Sequence, residues 1–393
     1  MADHNGIPRC IGILTAGGDC PGLNAAIRAV TKAAIHDHDM KVLGIEDGFR
    51  GLVENRMRPL AYREMSGILS QGGTILGTSR DKPNKMPMGG KVLNMVGTAV
   101  ENARTAGIDC LVCLGGGGTQ KNALLLAEAG LNVITLPKTI DNDVGLTDAS
   151  FGFDTALSIA TNAIDRLHTT ATSHDRIILV ETMGHRTGWI ALGSGVAGGA
   201  DVILIPEIPY DIGAVAEYLL DRQRRFGRRF SIVAIAEGAL SREEAERSAQ
   251  KAVEKAALPP EPELPEDLDG YKLVKESLAS RIAREVQGLT RTEARVTALG
   301  HVQRGGSPTA RDRLLATKLG TRAVELMASG TFNVMVAERS GDGVAVPLTE
   351  VAGVRNMVPL DHPWIRAART TGTNLGIDAA ELDALVAAAQ AAR

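Results

Sequence analysis

The chain is predicted to fold as an α/β protein of two doubly wound domains, each with a mostly parallel central sheet flanked by helices. Three observations carry that prediction. Apolar runs of strand length alternate with helix-length amphipathic segments along the sequence, the pattern of parallel sheets with crossover helices. Glycines, carboxylates and cations collect just after those runs, where ligands sit in open sheets of this kind. The 393 residues exceed the usual size of one domain, so two cores are expected.

Eight runs read as strands: "CIGIL" at 10–14, "KVLGI" at 41–45, "DCLVCLG" at 109–115, "VITLP" at 133–137, "IILVE" at 177–181, "VILIPE" at 202–207, "SIVAIAEG" at 231–238 and "RVTALG" at 295–300. Most are followed by a chemistry-bearing turn, namely GGDCPG, GGGGT, KTIDND, TMGHRTG, EGA and GHVQRGG. Residues 241–270 break the rhythm, running from a charged helical pattern into a Pro- and acid-rich stretch with little to bury, and are expected to form an exposed helix and loop. From about Thr349 the tail finishes in "DAAELDALVAAAQAAR", a surface or interface helix.

Composition bounds the function. Hydrophobic residues make up 44% and charged residues 23%, with a formal net charge of -3, which argues against disorder and against a generally basic nucleic-acid binder. No apolar run approaches the ~20 residues that span a bilayer, and "MADHNGIPRC" lacks a signal peptide's apolar segment, so a soluble cytoplasmic protein is expected. Four cysteines are too few for a disulfide framework in a chain this long. Cys110 and Cys113 form a C-x-x-C, but inside a strand pattern residues three apart point to opposite faces, which disfavours redox or metal chemistry.

The first strand ends in "LTAGGDCPGLNAAIRAV", a glycine turn entering a helix whose first turn offers free N–H groups and the positive end of its dipole. Such turns are common and match neither the P-loop nor G-x-G-x-x-G spacing. The second cluster, "LGGGGTQKNALLLAEAG", repeats the architecture, with Thr119 able to cap the next helix or meet a phosphate. Two phosphate-shaped turns on one sheet favour a polyphosphate ligand. After "VITLP", Asp141 and Asp143 flank Asn142 at the same rim. Aspartates there can turn the chain, but beside phosphate turns they suit base and metal-related roles. Arg176, Arg295, His301 and Arg304 suit a phosphorylated substrate, because arginine forks match phosphate oxygens.

Together "GGDCPGLNAAIR", "GGTILGTSR", "PKTIDND", "MGHRTGW", "AEGA" and "LGHVQRGGSPTARDR" resemble the phosphofructokinase family, in the family's order and from Gly12 to about Gly330. The resemblance implies a phosphoryl-donor domain of residues 1–150 plus about 303–350, and a sugar-phosphate domain of 151–302 plus about 351–393. It implies phosphoryl transfer to the 1-hydroxyl of fructose 6-phosphate. Asp141 would be the base, with Thr139 and Asp143 beside it. Gly18, Arg80, Gly118 and Thr119 would surround the donor. Met183, Gly184 and Glu237 would contact the sugar, and Arg176, Arg295, His301 and Arg304 would cradle its phosphate. Family members typically send residues matching Arg176 and Arg295 into a neighbouring subunit's site, which implies a dimer or tetramer with shared sites.

Three departures follow. Gly117 replaces an acidic residue common in relatives, so Mg2+ must lean on Asp141, Asp143, water and the donor. His185 stands where relatives often carry arginine, and Phe49 where some stack a tyrosine on adenine. Lys138 resembles the pyrophosphate-using relatives, yet those usually pair it with an aspartate at the position of Gly118. Glycine leaves room for a nucleotide, so ATP is the expected donor and pyrophosphate the alternative. A sugar-phosphate sensor would keep the cradle but has no use for Asp141, and a nicotinamide dehydrogenase would need a dinucleotide fingerprint that is absent. Arg28 and Lys32, four apart on the first helix, are candidates for an anion site between subunits or, equally, solvated surface charges.

Overall fold

The structure is a computed structural model and describes residues 8–227, 230–257 and 276–391. The chain divides into two compact units, residues 1–156 with 304–356 and residues 157–303 with 357–393. Each is built on its own sheet.

In the first unit the sheet runs, in spatial order, Asp342–Pro347, Val334–Arg339, Val133–Thr139, Cys110–Gly115, Cys10–Thr15, Lys41–Ile45 and Met57–Pro59, with the short Phe151–Gly152 paired to Val133–Thr139. The two edge strands are antiparallel and the central pairs parallel. Central strands buried on both faces explain why their sequences are apolar without interruption. Cys10–Thr15 has its successor Lys41–Ile45 on one side and Cys110–Gly115 on the other, so the strand order reverses there. The carboxyl ends of Cys10–Thr15, Cys110–Gly115 and Val133–Thr139 therefore lie side by side at a topological switch point, the place where open α/β sheets bind ligands.

The second unit holds four parallel strands in the order Val202–Leu204, Ser231–Ala236, Ile177–Thr182 and Ala294–Ala298. Their side chains pack with Leu219, Ile282 and Val286 of flanking helices.

All eight expected strands form. Val202–Leu204 stops at Leu204, short of Pro206, which has no N–H for a ladder. The last of the eight gives way at Gly300 to the 3-10 turn Gly300–Arg304. Sequence reading missed the hairpin Val334–Arg339 and Asp342–Pro347, although Ser340, Gly341, Asp342 and Gly343 between two alternating runs are a hairpin signal. Of the expected exposed stretch, Arg242–Ala257 is a helix. Residues 258–270 lie outside the described residues. The tail helix Ala379–Ala391 buries only Leu382 and lies at the surface. No described helix is long and apolar enough to cross a membrane.

Cys110 and Cys113 are fully buried in their strand, and burial raises both thiols above their ordinary range. That suits packing, since the reactive form is the thiolate.

Candidate active site

At the switch point of the first unit, the turn Gly17–Gly18–Asp19 leads into the helix Leu23–His38. Its carbonyls are held by cations. Lys138 donates from Nζ to the Gly18 carbonyl, and Arg304 donates from Nη1 to the Asp19 carbonyl at 3.2 Å. A Cβ on Gly18 would sit 2.5 Å from Arg304 Nη1, so the guanidinium lies against the bare face of that glycine. Arg304 Nε is buried with no hydrogen-bond partner. Arg80 is exposed and follows Ser79, whose carbonyl accepts from the Gly17 N–H at 2.9 Å.

The second glycine cluster opens the helix Gly117–Glu128 without a side-chain cap. None of Gly115 to Gly118 has positive φ, so glycine serves here for space and not for conformation. A Cβ on Gly117 or Gly118 would meet nothing within 4 Å, so no side chain covers the start of the helix, while the Thr119 and Gln120 N–H groups donate to the Gly116 carbonyl at 2.9 and 3.2 Å. Gly115 is different. A Cβ there would fall 2.0 Å from Thr119 Oγ1, so Thr119, itself buried, turns its hydroxyl back against Gly115.

Beyond Val133–Thr139 the chain turns sharply. Thr139 Oγ1 accepts from the Asp141 N–H at 3.0 Å, and Asn142 takes the left-handed conformation at φ 51°. Asn142 is buried, and its Oδ1 accepts from Ser150 N at 3.1 Å and Ser150 Oγ at 3.3 Å. Asn356 completes the clamp, donating from Nδ2 to the Asn142 carbonyl at 2.9 Å and from its N–H to the Asp143 carbonyl at 3.0 Å. Asp141 and Asp143, both half-buried, are thus presented by a turn fixed from several sides.

In the second unit, the turn after Ile177–Thr182 carries Met183, Gly184 and His185. Gly184 has φ 149°, and a Cβ there would approach the Thr187 carbonyl to 2.6 Å, so only glycine fits. His185 adopts φ 52°, a left-handed conformation uncommon outside glycine. Its N–H donates to Glu237 Oε1 at 2.8 Å, which joins the ends of neighbouring strands. His301, exposed, follows the carboxyl end of Ala294–Ala298 in the 3-10 turn.

Arg176, Arg295 and His301 lie at different edges of the second unit's sheet. Arg176 precedes Ile177–Thr182 and Arg295 stands second in Ala294–Ala298, so both lie at the amino edge of the sheet. His301 lies at the carboxyl edge, a strand of five residues away, or about 17 Å. Arg304 belongs to the first unit and lies against Gly18. Arg176 and Arg295, which the family resemblance assigns to a neighbouring subunit's site, thus lie a strand's length from His301 within the second unit. Phe49 is a correction. Its side chain is 1% exposed, among Leu14, Ile45, Leu52 and Val100, because a ring without a hydroxyl loses nothing by entering the core. Lys32 is committed too, its Nζ lying 4.1 Å from the centroid of the Tyr62 ring.

Glu293 is a residue that sequence reading passed over. Its Oε2 accepts from Arg176 Nε at 2.7 Å while its Oε1 pairs with Arg295, and the Arg176 hydrogen bond, more than any other influence, lowers its pKa. The i, i+2 spacing from Arg295 in a strand places both on one face and was available as a signal. Asn356 gave none, being about 200 residues from the turn it holds.

Known proteins share this architecture. The family described as Phosphofructokinase matches residues 10–327. The chain belongs to the phosphofructokinase family. A relative from Propionibacterium freudenreichii, named ATP-dependent 6-phosphofructokinase, is 53% identical over 93% of this chain and 99% of its own. Another of that name from Spirochaeta thermophila is 52% identical over 94% and 98%. Among solved structures, the phosphofructokinase of Saccharomyces cerevisiae superposes with a TM-score of 0.71 at 30% identity, covering 88% of this phosphofructokinase, which spans 45% of the yeast chain. A pyrophosphate-dependent phosphofructokinase from Marinobacter aquaeolei gives a TM-score of 0.74 at 20% identity, a likeness of fold alone.

Proposed function

We propose that this phosphofructokinase transfers the γ-phosphoryl group of ATP to the 1-hydroxyl of fructose 6-phosphate, giving fructose 1,6-bisphosphate. The open space at Gly118 carries the choice of donor. A nucleotide needs room beyond its β-phosphate, and a Cβ at Gly118 meets nothing within 4 Å. Names of relatives above 50% identity support the same reading.

Asp141 is the general base for the 1-hydroxyl, held by the clamped turn, and Thr139 and Asp143 stand beside it. The uncovered helix start at Gly117 and Gly118 and the Gly18 turn receive donor phosphates, with Arg80 following Ser79, which accepts from the Gly17 N–H. Met183, Gly184, His185 and Glu237 contact the sugar and His301 its phosphate. Arg176 and Arg295, at the far edge of their sheet, serve a neighbouring subunit's sugar phosphate, which makes the enzyme a homo-oligomer with shared sites.

Magnesium fits this residue set. The described residues contain no group of three or more His, Cys, Asp or Glu side chains able to hold a metal, and Mg2+ commonly needs only one or two carboxylates with water and substrate phosphates. Asp141 and Asp143 would supply those carboxylates, and the ion would neutralise charge on the transferring phosphoryl group.

Pyrophosphate is the second reading because of Lys138. Initial rates with fructose 6-phosphate, magnesium and each donor test the proposal: turnover with ATP is expected, and turnover with pyrophosphate alone would overturn it.

A further inference from the structure

Lys138 poses a question that the choice of donor leaves open. Its side chain is 3% exposed at the end of the buried strand Val133–Thr139. A buried ammonium needs partners, and this one donates to the Gly18 carbonyl. Its Nζ lies 3.6 Å from where a Cβ on Gly17 would stand. Burial is the main cause lowering the Lys138 pKa and Arg304 adds to it, while Asp141 and Asp19 oppose the shift.

Two consecutive carbonyls of the turn, Gly18 and Asp19, are thus each held by a cation from a distant part of the chain, Lys138 and Arg304. In a trans peptide the C=O and the following N–H point in opposite directions. The described residues contain no cis peptide bond. Drawing the Gly18 and Asp19 oxygens toward the cations therefore turns the Asp19 and Cys20 N–H groups away from them. A turn rich in glycine does not hold that orientation unaided, since glycine samples both signs of φ freely. Gly17 has φ 84° and Gly22 φ 109°.

We propose that Lys138 is a positioning residue that pins the Gly17–Gly18–Asp19 turn in its donor-receiving orientation, and that it acts through the Gly18 carbonyl instead of by contact with the donor. Glycine at 118 and lysine at 138 are then compatible in one enzyme: one leaves space for the donor and the other fixes the turn beside it. The inference uses the ATP reading only to name the donor in the kinetic arm of its test.

The primary test needs no donor. Lys138→Met keeps the buried stem and removes the ammonium. Hydrogen exchange on the ligand-free variant should rise about tenfold or more for peptides covering residues 16–20, read through the Ala16 and Gly17 N–H groups that donate to the Leu114 and Ser79 carbonyls, as expected when loss of one charge-assisted bond loosens the turn. Exchange in the strands Cys10–Thr15 and Cys110–Gly115 should stay as in the parent. In steady state the variant should show a KM for ATP raised about tenfold and a KM for fructose 6-phosphate within about twofold. Unchanged exchange at 16–20 overturns the pin, and if the KM for the donor nevertheless rises, Lys138 touches the donor directly. Should the methionine variant fail to fold, Lys138→Gly, which admits water to the Gly18 carbonyl, should show the same confined rise, and its absence there is equally fatal. A parent enzyme that turns over pyrophosphate and not ATP defeats the donor reading while leaving the exchange result to decide the pin.

Discussion

Asp141 and Gly118 each offer a clean substitution. Asp141→Asn keeps the shape of the side chain and the hydrogen bond from its N–H to Thr139, so folding should be intact. As the proposed base, its loss should lower kcat by about 10²- to 10⁴-fold while sugar phosphate still binds. Stopped assays alongside direct binding of fructose 6-phosphate check this, and near-parental kcat removes Asp141 from the role. Gly118→Asp is sterically free, since its Cβ meets nothing and its φ is not positive. The new carboxylate should repel the α-phosphate and abolish ATP use without loss of thermal stability. Gly117→Asp is equally free of clashes and should lower the magnesium concentration that gives half-maximal rate. A titration of rate against Mg2+ at fixed ATP reads the shift directly. The first two residues were legible as candidates from sequence because aspartate and glycine at a strand end carry their chemistry locally. Phe49 was not, since whether a ring faces ligand or core depends on what packs over it.

The turn that presents Asp141 and Asp143 is held by partners at widely different distances along the chain: Ser150 is 8 residues from Asn142, and Asn356 is 214. Asn142→Ala should destabilise the fold by about 1 to 3 kcal/mol, through loss of the buried acceptor for Ser150 and the cost of a left-handed alanine. If the clamp positions the base, kcat should fall in the same variant under conditions where it remains folded. Denaturant melts and rates measured on one preparation separate the two effects, and a stability loss with unchanged kcat would assign Asn142 to folding alone. The strands themselves were readable, because apolar runs in a parallel sheet are nearly continuous. The hairpin Val334–Arg339 with Asp342–Pro347 carries no chemistry at its ends and was passed over.

Arg176 and Arg295 test the assembly. They sit at the amino edge of a sheet whose carboxyl edge carries His185, Glu237 and His301, and Glu293 ties the two together. If they serve a neighbouring subunit, mixing Asp141→Asn and Arg295→Ala subunits should restore activity, because some sites in the hybrid would contain neither lesion. Activity measured across mixing ratios, with hybrid formation verified independently, checks this; no recovery in proven hybrids would return both arginines to another purpose.

Periodicity, turn composition and strand-end residues were enough to establish an α/β fold, a phosphate-binding character and the family resemblance, because each depends on residues close together in the chain. The family itself is shown by comparison over nearly the full length. Folding decided matters that depend on distant partners. It set Lys138 and Arg304 on the carbonyls of one glycine turn, buried Phe49, and separated Arg295 from His301 by the length of a strand. A sequence displays what a residue is able to do. Which atom it reaches is fixed by packing and by strand direction, and these arise only when segments hundreds of residues apart compete for the same core.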